Sequence, residues 1–446
     1  MASRIRQANG DDYPEAALKT FVSQNSTIER VALIDDLFGK MRLVFWARSD
    51  SQDATRQELR QKLDAALKAV GSAFWTGEAW DATKAEAADR IVYDKAWSEG
   101  RGVSGSDKVR TTDRRRNRGA WFESLSEPPW IPQREEGEQA PPILVFYSFK
   151  GGVGRSTTLA AFAIQRARLG ERVAVVDLDL DAPGVGSLIA ADEKGTIARW
   201  GGLDYLLERP LESVDLRDYY HACRRREITG SGEILVVPAG TLDDLYLSKL
   251  ARADFEPPPP QDKHVLTQLF EQIRTELNPH WLLLDARTGL SEPSGALLGG
   301  MAHLHVLFGT TSQQTWQGLK LVLGRIGADR VLENKAQLDC LLVQAMVPED
   351  SKAATTSKAV FSDLARDAFS ECYYAPDPAD TEEDRFWYVR DMEASDAPHA
   401  PIAISYDQKL AHFDKLEDVA DHLAQSPEYM MLAERIAARF PGRTKE

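Results

Sequence analysis

The sequence predicts an α/β fold for most of the chain, with a mostly parallel twisted sheet and helices on both faces. From residue 143 onward, apolar runs typical of buried strands alternate with stretches of helical length. This alternation is the pattern of a parallel sheet covered on both sides. The first run leads into a glycine-rich loop, and two later runs end in carboxylates. In such folds, ligands bind beyond the carboxyl ends of the strands.

Length and composition indicate a globular protein with more than one domain. The 446 residues exceed one ordinary core, and 43% hydrophobic with 28% charged residues is ordinary for a globular chain. Residues 127–142 contain five prolines and several charges, a composition that predicts a semi-rigid extended linker. We therefore expect a smaller α+β domain over residues 1–126, a linker over 127–142 and the α/β domain over 143–446.

The charge balance disfavours general attraction to nucleic acid or anionic lipid. The net charge is −15, with 69 acidic against 54 basic residues, and negative surfaces repel polyanions. Residues 108–118 are a local exception, with six basic residues and one acid. Two interpretations remain open for this run: a nucleic-acid contact, and a solvated charge run, which we favour.

Cysteine usage and hydropathy indicate a cytoplasmic protein without a membrane span. The three cysteines, Cys223, Cys340 and Cys372, are widely spaced and lack metal-type pairing, which fits a reducing compartment. The N-terminus lacks the apolar core of a signal peptide. No window approaches about 18 uninterrupted apolar residues, as a spanning helix requires.

Residues 1 to about 125 contain no family motif that we recognise, but two elements are predicted there. Residues 42–47 read as a strand, and residues 55–70 as an amphipathic helix with an apolar face. Six of the ten tryptophans precede residue 131. Indoles are favoured both in cores and at interfaces, and we favour core packing over a partner site.

The α/β domain is predicted to contain seven strands and four main helices. The strands are expected at 143–148, 172–177, 233–240, 281–285, 303–308, 340–348 and 402–407, and the helices at 156–169, 263–277, 314–330 and 429–440. The last helix has a narrow apolar stripe and few basic residues, so we expect it to pack on the sheet rather than bind membrane. His303 and His305 lack nearby ligands and are predicted to be structural.

The glycine-rich loop, residues 149–157 with the sequence FKGGVGRST, predicts a phosphate-binding site. Gly151, Gly152 and Gly154 allow the backbone to turn with its N–H groups inward, and the helix that follows adds its positive end. The ordinary P-loop has a lysine before the Ser/Thr. Arg155 occupies that place and Ser156 holds the hydroxyl position. Arginine keeps the charge and forks onto phosphate oxygens, but it is bulkier than lysine.

Two further segments support the same site. Residues 172–183, RVAVVDLDLDAP, form a strand-like run that ends in Asp177, Asp179 and Asp181. Residues 281–289, WLLLDARTG, form another that ends in Asp285 and continues to Gly289. Such sheets bind ligands beyond the carboxyl ends of their strands, where these acids and the glycine-rich loop both lie.

With Lys150 ahead of Gly151-Gly152-Val153-Gly154, the loop resembles the deviant Walker A loop of ParA/MinD-type P-loop ATPases, of the SIMIBI class. The other two segments resemble the switch I region and the Walker B strand with the switch II glycine of that family, in the family's order. KGGVGRS together with DARTG further resembles a bacterial subgroup in which arginine replaces the Walker lysine.

The resemblance implies a cofactor, Mg²⁺·ATP, and a role for each matching residue. The backbone N–H groups of Gly152 to Ser156 would hold the β-phosphate, and Gly151 and Val153 would belong to the same nucleotide-binding loop. Arg155 would pair with β- and γ-oxygens, Thr157 would reach the α-phosphate, and Gly289 would sense the γ-phosphate. The metal residues would be Ser156, Asp177 and Asp285, and the catalytic residues would be Asp179, which orients water, Arg155, and Lys150, which inserts from an opposing subunit. For Asp181, a helix-capping or solvated acid is as good an interpretation as a role in the switch.

The implied function is a slowly hydrolysing ATPase that forms a nucleotide-dependent homodimer. It would regulate or position a protein partner or its own N-terminal domain, in a bacterial signalling or conflict system. Two alternatives remain: a scaffold that binds ATP without hydrolysing it, which the arginine in the Walker position favours, and a ParA-like DNA-partitioning protein, which the 108–118 run keeps open.

Overall fold

The structure of the protein, a computed structural model, describes residues 13–36, 39–71, 74–113, 121, 127–135, 138–192, 196–255, 262–377 and 386–440. The chain divides into two compact units, which we call the N-terminal unit (Met1–Arg118) and the C-terminal unit (Gly119–Glu446). The C-terminal unit thus includes residues 127–142, the segment that the sequence predicts as a linker.

The N-terminal unit is built on one mixed five-stranded sheet. Its strand order is β3-β2-β1-β5-β4; β1 pairs in parallel with β5, and β2 with β3, whereas β1–β2 and β4–β5 are antiparallel. The elements are α1 (Tyr13–Gln24), β1 (Ile28–Asp35), β2 (Met41–Ala47), α2 (Asp53–Gly71), β3 (Trp75–Asp81), α3 (Ala87–Ser98), β4 (Arg101–Gly102) and β5 (Val109–Asp113).

Both faces of this smaller sheet carry apolar cores, because alternate residues of a strand point to opposite faces. Val31 and Leu33 of β1 belong to the cluster that includes apolar residues of α1 and α2. Their neighbours Ala32 and Ile34 belong to a second cluster, against which Trp97 of α3 packs. The predicted strand at 42–47 and helix at 55–70 are confirmed as β2 and α2.

The C-terminal unit contains an eight-stranded sheet of order β10-β11-β9-β12-β8-β13-β14-β15. All neighbouring pairs are parallel except β10–β11. The strands are β8 (Ile143–Ser148), β9 (Arg172–Leu178), β10 (His221–Cys223), β11 (Glu233–Val237), β12 (Trp281–Ala286), β13 (Leu304–Gly309), β14 (Cys340–Val347) and β15 (Ile402–Ser405), and a separate antiparallel pair precedes them, β6 (Gln133–Glu135) and β7 (Glu138–Ala140).

Helices connect the strands of this sheet. One π-helical turn, Ile273–Leu277, follows the helix Val265–Gln272, and another, Leu297–Met301, follows the helix Glu292–Ala296. The helices are α4 (Arg155–Arg168), α5 (Val185–Leu188), α6 (Gly202–Glu208), α7 (Arg226–Thr229), α8 (Tyr246–Leu250), α9 (Val265–Gln272), α10 (Glu292–Ala296), α11 (Gln313–Ile326), α12 (Ala328–Leu332), α13 (Ser351–Cys372), α14 (Gln408–Ala411), α15 (Ala420–Gln425) and α16 (Pro427–Ala438).

The large sheet is buried on both faces, which explains its continuous apolar strands. In β8, Ile143, Val145 and Tyr147 join one core cluster, while Leu144 and Phe146 join the other. All six residues of β8 are buried. The predicted fold class, a mostly parallel α/β sheet with a smaller N-terminal α+β region, is confirmed.

The C-terminal helix packs on the sheet, as expected. Tyr429, Leu432 and Ile436 of α16 belong to a core cluster, and Phe440 lies edge-on to Trp281 at a centroid distance of 6.0 Å. In the part of the chain that the structure describes, no helix is both long and apolar enough to cross a bilayer.

Where the structure describes it, the segment predicted as a linker packs against the large sheet and is held there by hydrogen bonds. Trp130 is 9% exposed, and its Nε1 donates to Pro141 O at 2.7 Å. His303 Nε2 lies 2.6 Å from Trp130 O, while His303 Nδ1 accepts from Ile143 N. His303 therefore has the structural role that the sequence predicts.

The basic run at 108–118 is only partly described. Val109–Asp113 forms β5, in which Arg110 lies with its guanidinium 4.5 Å from the ring centre of Trp97. Residues 114–118, which hold the remaining four arginines, lie outside the described residues.

Candidate functional site

The glycine-rich loop joins the end of β8 to the start of α4. Gly152 and Gly154 have φ angles of 74° and 78°, a left-handed conformation in which a side chain is strained. A Cβ added at Gly151, Gly152 or Gly154 would meet nothing within 4 Å. The backbone of the loop therefore borders open space rather than packed protein.

The helix that follows points its N-terminus at this space. Gly154 is the N-cap of α4 without a side-chain cap, so the first N–H groups of the helix lack intrahelical partners. Thr158 Oγ1 donates to Gly154 O at 2.8 Å and holds the turn. Free N–H groups at a helix N-terminus are a general anion site.

Sheet register brings the carboxylates of two other strands to the same edge. In the centre of the sheet, β12 lies between β8 and β9. Asp285 of β12 is opposite Phe146 on one side and opposite Asp177 on the other. Two segments that are distant in sequence thus end beside the glycine-rich loop.

Arg155 lies between these carboxylates and is buried. Its Nη2 donates to Asp179 Oδ2 at 2.9 Å, and its Nε lies 2.7 Å from Asp285 Oδ1. The side chains of all three residues are less than 10% exposed. Arg155 therefore neutralises two of the acids that follow or end these strands.

The hydrogen-bonding capacity of this cluster is not fully used. Among the described residues, Arg155 Nη1 and Asp179 Oδ1 are buried and lack a hydrogen-bond partner. Buried polar groups are nearly always satisfied, and each unsatisfied one costs on the order of 1–3 kcal/mol. Such a deficit marks a place where a ligand can supply the missing partners.

Ser156 and Asp285 present the oxygen donors that Mg²⁺ prefers. Ser156 Oγ donates to Asp285 Oδ2 at 2.7 Å. In the described part of the chain no group of three or more His, Cys, Asp or Glu residues could hold a metal alone. Mg²⁺ is commonly held by one or two protein groups together with phosphate oxygens and water. The donor set fits a metal that arrives with a nucleotide.

Asp177 is fully buried and organises the segment after β9. Its Oδ1 accepts from Asp179 N at 3.2 Å, and its Oδ2 accepts from Gly184 N and Gly186 N at 3.1 and 3.3 Å. Burial and the nearby charge of Asp285 raise the pKa of Asp177 to about 7, against the lowering effect of these N–H groups. If Asp177 supports the metal shell, as the sequence resemblance implies, it would do so by holding the segment after β9 in place.

Asp285 has a pKa raised by burial. The positive charge of Arg155 and the hydrogen bond from Ser156 oppose that rise. The positive charge of Arg155 therefore favours the ionised form of this carboxylate in the sheet interior.

The Asp285 strand continues into a short segment, residues 287–291, that we call the Arg287 segment. Gly289 N donates to Ser148 O at 3.3 Å, and Tyr147 Oη donates to Gly289 O at 3.0 Å. Arg287 forms an ion pair with Asp181. This pair links the segments that follow β12 and β9.

The predicted site residues fall into two groups. Arg155, Ser156, Asp177, Asp179 and Asp285 are in one contact network, as described above. The others border it from the loop or from the Arg287 segment: Gly151, Gly152, Val153, Gly154, Thr157 and Gly289. Lys150 is half-buried in the loop and makes no hydrogen bond or ion pair within the described residues.

Sequence reasoning missed the pairing of Asp181 with Arg287. The sequence leaves Asp181 open between a switch residue and a helix-capping or solvated acid, and it gives Arg287 no role beyond its place in the DARTG motif. The signal that could have found the pair was an arginine directly after one strand-end acid, facing an extra acid after the neighbouring strand. The role of Tyr147 carried no such signal, because it lies in an apolar run.

A cavity of about 580 Å³ lies at the same edge of the sheet, beyond β13 and β14. Thr311 and Pro348 follow these strands, and Asp350 and Lys352 lie at the start of α13. It adds polar and charged groups to the carboxyl edge.

The fold and the site define a P-loop nucleotide-binding protein, and comparison with known families agrees. Residues 144–366 match the CbiA family, the CobQ/CobB/MinD/ParA nucleotide binding domain. The match spans 223 of the 446 residues, half of the chain. The chain belongs to this family, whose members include the ParA and MinD ATPases.

Solved structures of this kind are similar to the chain at low sequence identity. The structure of pNOB8 ParA bound to nonspecific DNA shares 13% identity, covers 67% of this chain and 98% of that chain, and gives a TM-score of 0.45. A putative plasmid partition protein from Borrelia burgdorferi B31 bound to AMPPNP shares 17% identity over 68% and 100% of the two chains, with a TM-score of 0.42.

The septum site-determining protein MinD from Pyrococcus horikoshii OT3, complexed with Mg-ADP, shares 15% identity over 69% of this chain and 100% of that chain, with a TM-score of 0.42. A search of curated proteins found no sequence match. The identification of the family therefore depends on the family match.

Proposed function

We propose that the chain binds Mg²⁺·ATP at the glycine-rich loop, hydrolyses it slowly, and acts as a dimeric switch. The observation that supports this proposal is the convergence of Arg155, Ser156, Asp179 and Asp285 beside an open glycine loop and a helix N-terminus. Phosphoryl transfer to water needs charge neutralisation on the phosphates and a positioned water. The cluster offers groups for both tasks.

Phosphate binding would use the loop and Arg155. N–H groups from Gly152 to Ser156 would hold the β-phosphate, and Thr157 would reach the α-phosphate. The forked guanidinium of Arg155 suits two phosphate oxygens at once. Its Nη1, without a partner among the described residues, would gain one there.

The metal would be held by Ser156 and Asp285, with Asp177 behind them. Bound there, Mg²⁺ would neutralise charge on the β- and γ-phosphates. Asp285 cannot remain a full partner of Arg155 while it serves the metal. When a nucleotide binds, Arg155 and Asp285 would therefore exchange their mutual ion pair for contacts to phosphate and metal.

The same exchange of ion pairs would free Asp179 to orient a water molecule. Its Oδ2 accepts from Arg155 at 2.9 Å, so it is freed when Arg155 turns to the phosphates. A free carboxylate at that position would orient the attacking water. Because two ion pairs must exchange before the water is positioned, we expect slow turnover.

Gly289 and Lys150 would make the site respond to the γ-phosphate and to an opposing subunit. Gly289 N would leave Ser148 O and donate to the γ-phosphate, moving the Arg287 segment. Lys150, which has no protein partner within the described residues, would reach the nucleotide of an opposing subunit. The state of the nucleotide would then pass to a protein partner or to the N-terminal unit.

A non-hydrolysing ATP-dependent scaffold is the second candidate. The double pairing of buried Arg155 supports it, since an arginine that keeps Asp179 paired would leave no group to orient the water. Both functions share the nucleotide site and differ in turnover.

The test is nucleotide turnover against protein concentration, with ATP and GTP, while light scattering follows the oligomeric state. Wild type is compared with Asp179→Ala, and Glu208→Gln serves as a control on an exposed carboxylate. We expect ATP turnover that rises with concentration in wild type and in the control, and is lost in Asp179→Ala.

The alternatives give different results in the same experiment. ATP-induced dimers without turnover in any variant would favour the scaffold. No binding of either nucleotide would reject both functions.

A further inference from the structure

Trp121 contacts the C-terminal unit at a defined site, formed by Ser291 and Gly295, that we call the seat. It lies three residues after Arg118, where the N-terminal unit ends in sequence. Its side chain packs against the main core cluster of the C-terminal unit, although 170 residues separate it from the residue to which it bonds. A tryptophan at this place in the chain is tied directly to the nucleotide domain.

The seat is the start of α10. Trp121 Nε1 donates to Ser291 O at 2.8 Å. Gly295 forms the floor: an added Cβ would lie 2.7 Å from Trp121 Cδ1 and 2.8 Å from its Cγ and Nε1. Only a residue without a side chain fits beneath the indole, so the contact is specific.

The seat is continuous with the Arg287 segment. Ser291 Oγ caps α10 by accepting from Ser294 N, and Ser294 Oγ donates to Arg287 O at 2.7 Å. Arg287 pairs with Asp181, and Gly289 N bonds to Ser148 O. Ser291, the acceptor of the indole, follows Gly289 by two residues, so a movement of Gly289 would be transmitted to it.

We propose that Trp121 is a positioning residue that holds the Arg287 segment and is released when a nucleotide binds. The proposal rests on the proposed function, in which Gly289 turns from Ser148 O to the γ-phosphate. Linkage is reciprocal: if nucleotide weakens the Trp121 contact, loss of that contact strengthens nucleotide binding. The residue would report the state of the site to the sequence that leads to the N-terminal unit.

The first test measures affinity for a non-hydrolysable ATP analogue with Mg²⁺ on the full chain. Trp121→Phe keeps an aromatic ring but loses the N–H donor, and Gly295→Ala fills the floor of the seat. Each should tighten binding about fivefold, since one neutral hydrogen bond contributes roughly 1 kcal/mol. Gly324→Ala is the matched control, because its added Cβ meets nothing within 4 Å and it changes helix propensity in the same way.

The second test observes Trp121 itself by ¹⁹F NMR of protein labelled with 5-fluorotryptophan. The Trp121 signal is assigned by its loss in Trp121→Phe. We expect it to shift when the analogue binds, and in Gly295→Ala to have the shifted position already.

The outcomes separate this inference from the function on which it rests. Analogue binding with an unmoved Trp121 signal, or variants that lose thermal stability but keep wild-type affinity, would show a purely structural tryptophan and overturn the inference alone. Absence of analogue binding would overturn the proposed function as well.

Discussion

Two buried arginines, one in each unit, differ in how completely their charge is satisfied. Arg56 in α2 and Arg155 in α4 are 8% and 7% exposed. Arg56 Nε donates to Asp81 at 2.8 Å, its Nη1 donates to Ser51 O at 2.7 Å, and its Nη2 pairs with Asp53. Arg155 contacts two carboxylates, but its Nη1 lacks a hydrogen-bond partner among the described residues.

The partners of the two arginines differ as well. Asp53 and Asp81 are 81% and 28% exposed, so water shares their charge. Asp179 and Asp285 are 8% and 1% exposed, so Arg155 is their main source of neutralisation. An arginine whose hydrogen-bonding capacity is filled and whose acidic partners are solvent-exposed indicates a structural role. An arginine with an unpaired N–H group among buried acids indicates a ligand site.

The largest expected effect is on nucleotide binding. Arg155→Met removes about two charge-assisted hydrogen bonds to phosphate, and at about 2 kcal/mol each the affinity for a fluorescent ATP analogue should fall about 1,000-fold. Arg56→Met, a buried arginine in the other unit, should stay within about twofold of wild type. Equal affinities in wild type and Arg155→Met would remove the basis of the comparison.

A buried histidine extends the comparison to pH. Burial lowers the pKa of His305 from 6.5 to about 4, and His305 is fully buried. Above pH 6.5 the ring is neutral in both folded and unfolded chains. As the pH falls from 6.5 to 4 only the unfolded chain takes up the proton, so stability falls by about 3 kcal/mol.

Urea unfolding at pH 7 and pH 4 measures this effect. His305→Asn keeps an N–H for Asp339 O, which lies 3.0 Å from His305 Nδ1, but does not titrate. The variant should lose less stability on acidification than wild type, and His412→Asn, at an exposed position, is the control. Equal losses in wild type and His305→Asn would show that His305 does not cause the pH dependence.

Arg56 should matter for stability rather than for binding. Arg56→Met breaks three hydrogen bonds, and because the partners are partly hydrated we expect a loss of about 2 kcal/mol. Native-state hydrogen exchange of peptides from α2 and β3 in the full chain measures it. Arg60→Met, exposed on the same helix, should leave exchange unchanged; a similar change in both variants would indicate a helix effect and not the ion pairs.

The smallest expected effect concerns Asp181 and Arg287, whose side chains are 30% and 36% exposed. A double-mutant cycle with Asp181→Asn and Arg287→Gln should give a coupling of about 0.5 kcal/mol at low salt, and less at high salt. Urea unfolding at two salt concentrations measures it. The more exposed pair Asp215–Arg217 should couple more weakly, and a larger coupling there would reverse the expected order.

The central strands and the glycine loop could be predicted because their signals are local. The prediction of a strand at 143–148 coincides with β8, since a strand buried on both faces is apolar throughout. By contrast, the sequence did not predict α13, which extends over 22 residues with only Phe361, Ala365, Ala368 and Phe369 buried. A long helix with a narrow buried stripe and many Ser, Thr and Lys residues gives a weak periodic signal.

The site was predictable as a set of residues but not as a network. Motif order supplied Arg155, Asp179 and Asp285, yet their ion pairs depend on sheet order, which places β12 between β9 and β8. The Trp121–Ser291 hydrogen bond joins residues from distant parts of the chain, and no local pattern in the sequence encodes it. The assignment of catalytic, nucleotide-binding and metal roles to the individual residues stays a prediction.

The central position of β12 also determines when the contact between Ser156 and Asp285 can form during synthesis of the protein. Ser156 and Asp285, which share a hydrogen bond, are 129 residues apart in the chain. The ribosome releases β8, the glycine loop and β9 well before β12, and β12 must then insert between β8 and β9. A nascent chain that already displays its glycine loop lacks the carboxylate of Asp285. The Ser156–Asp285 hydrogen bond can therefore form only after most of the C-terminal unit has emerged.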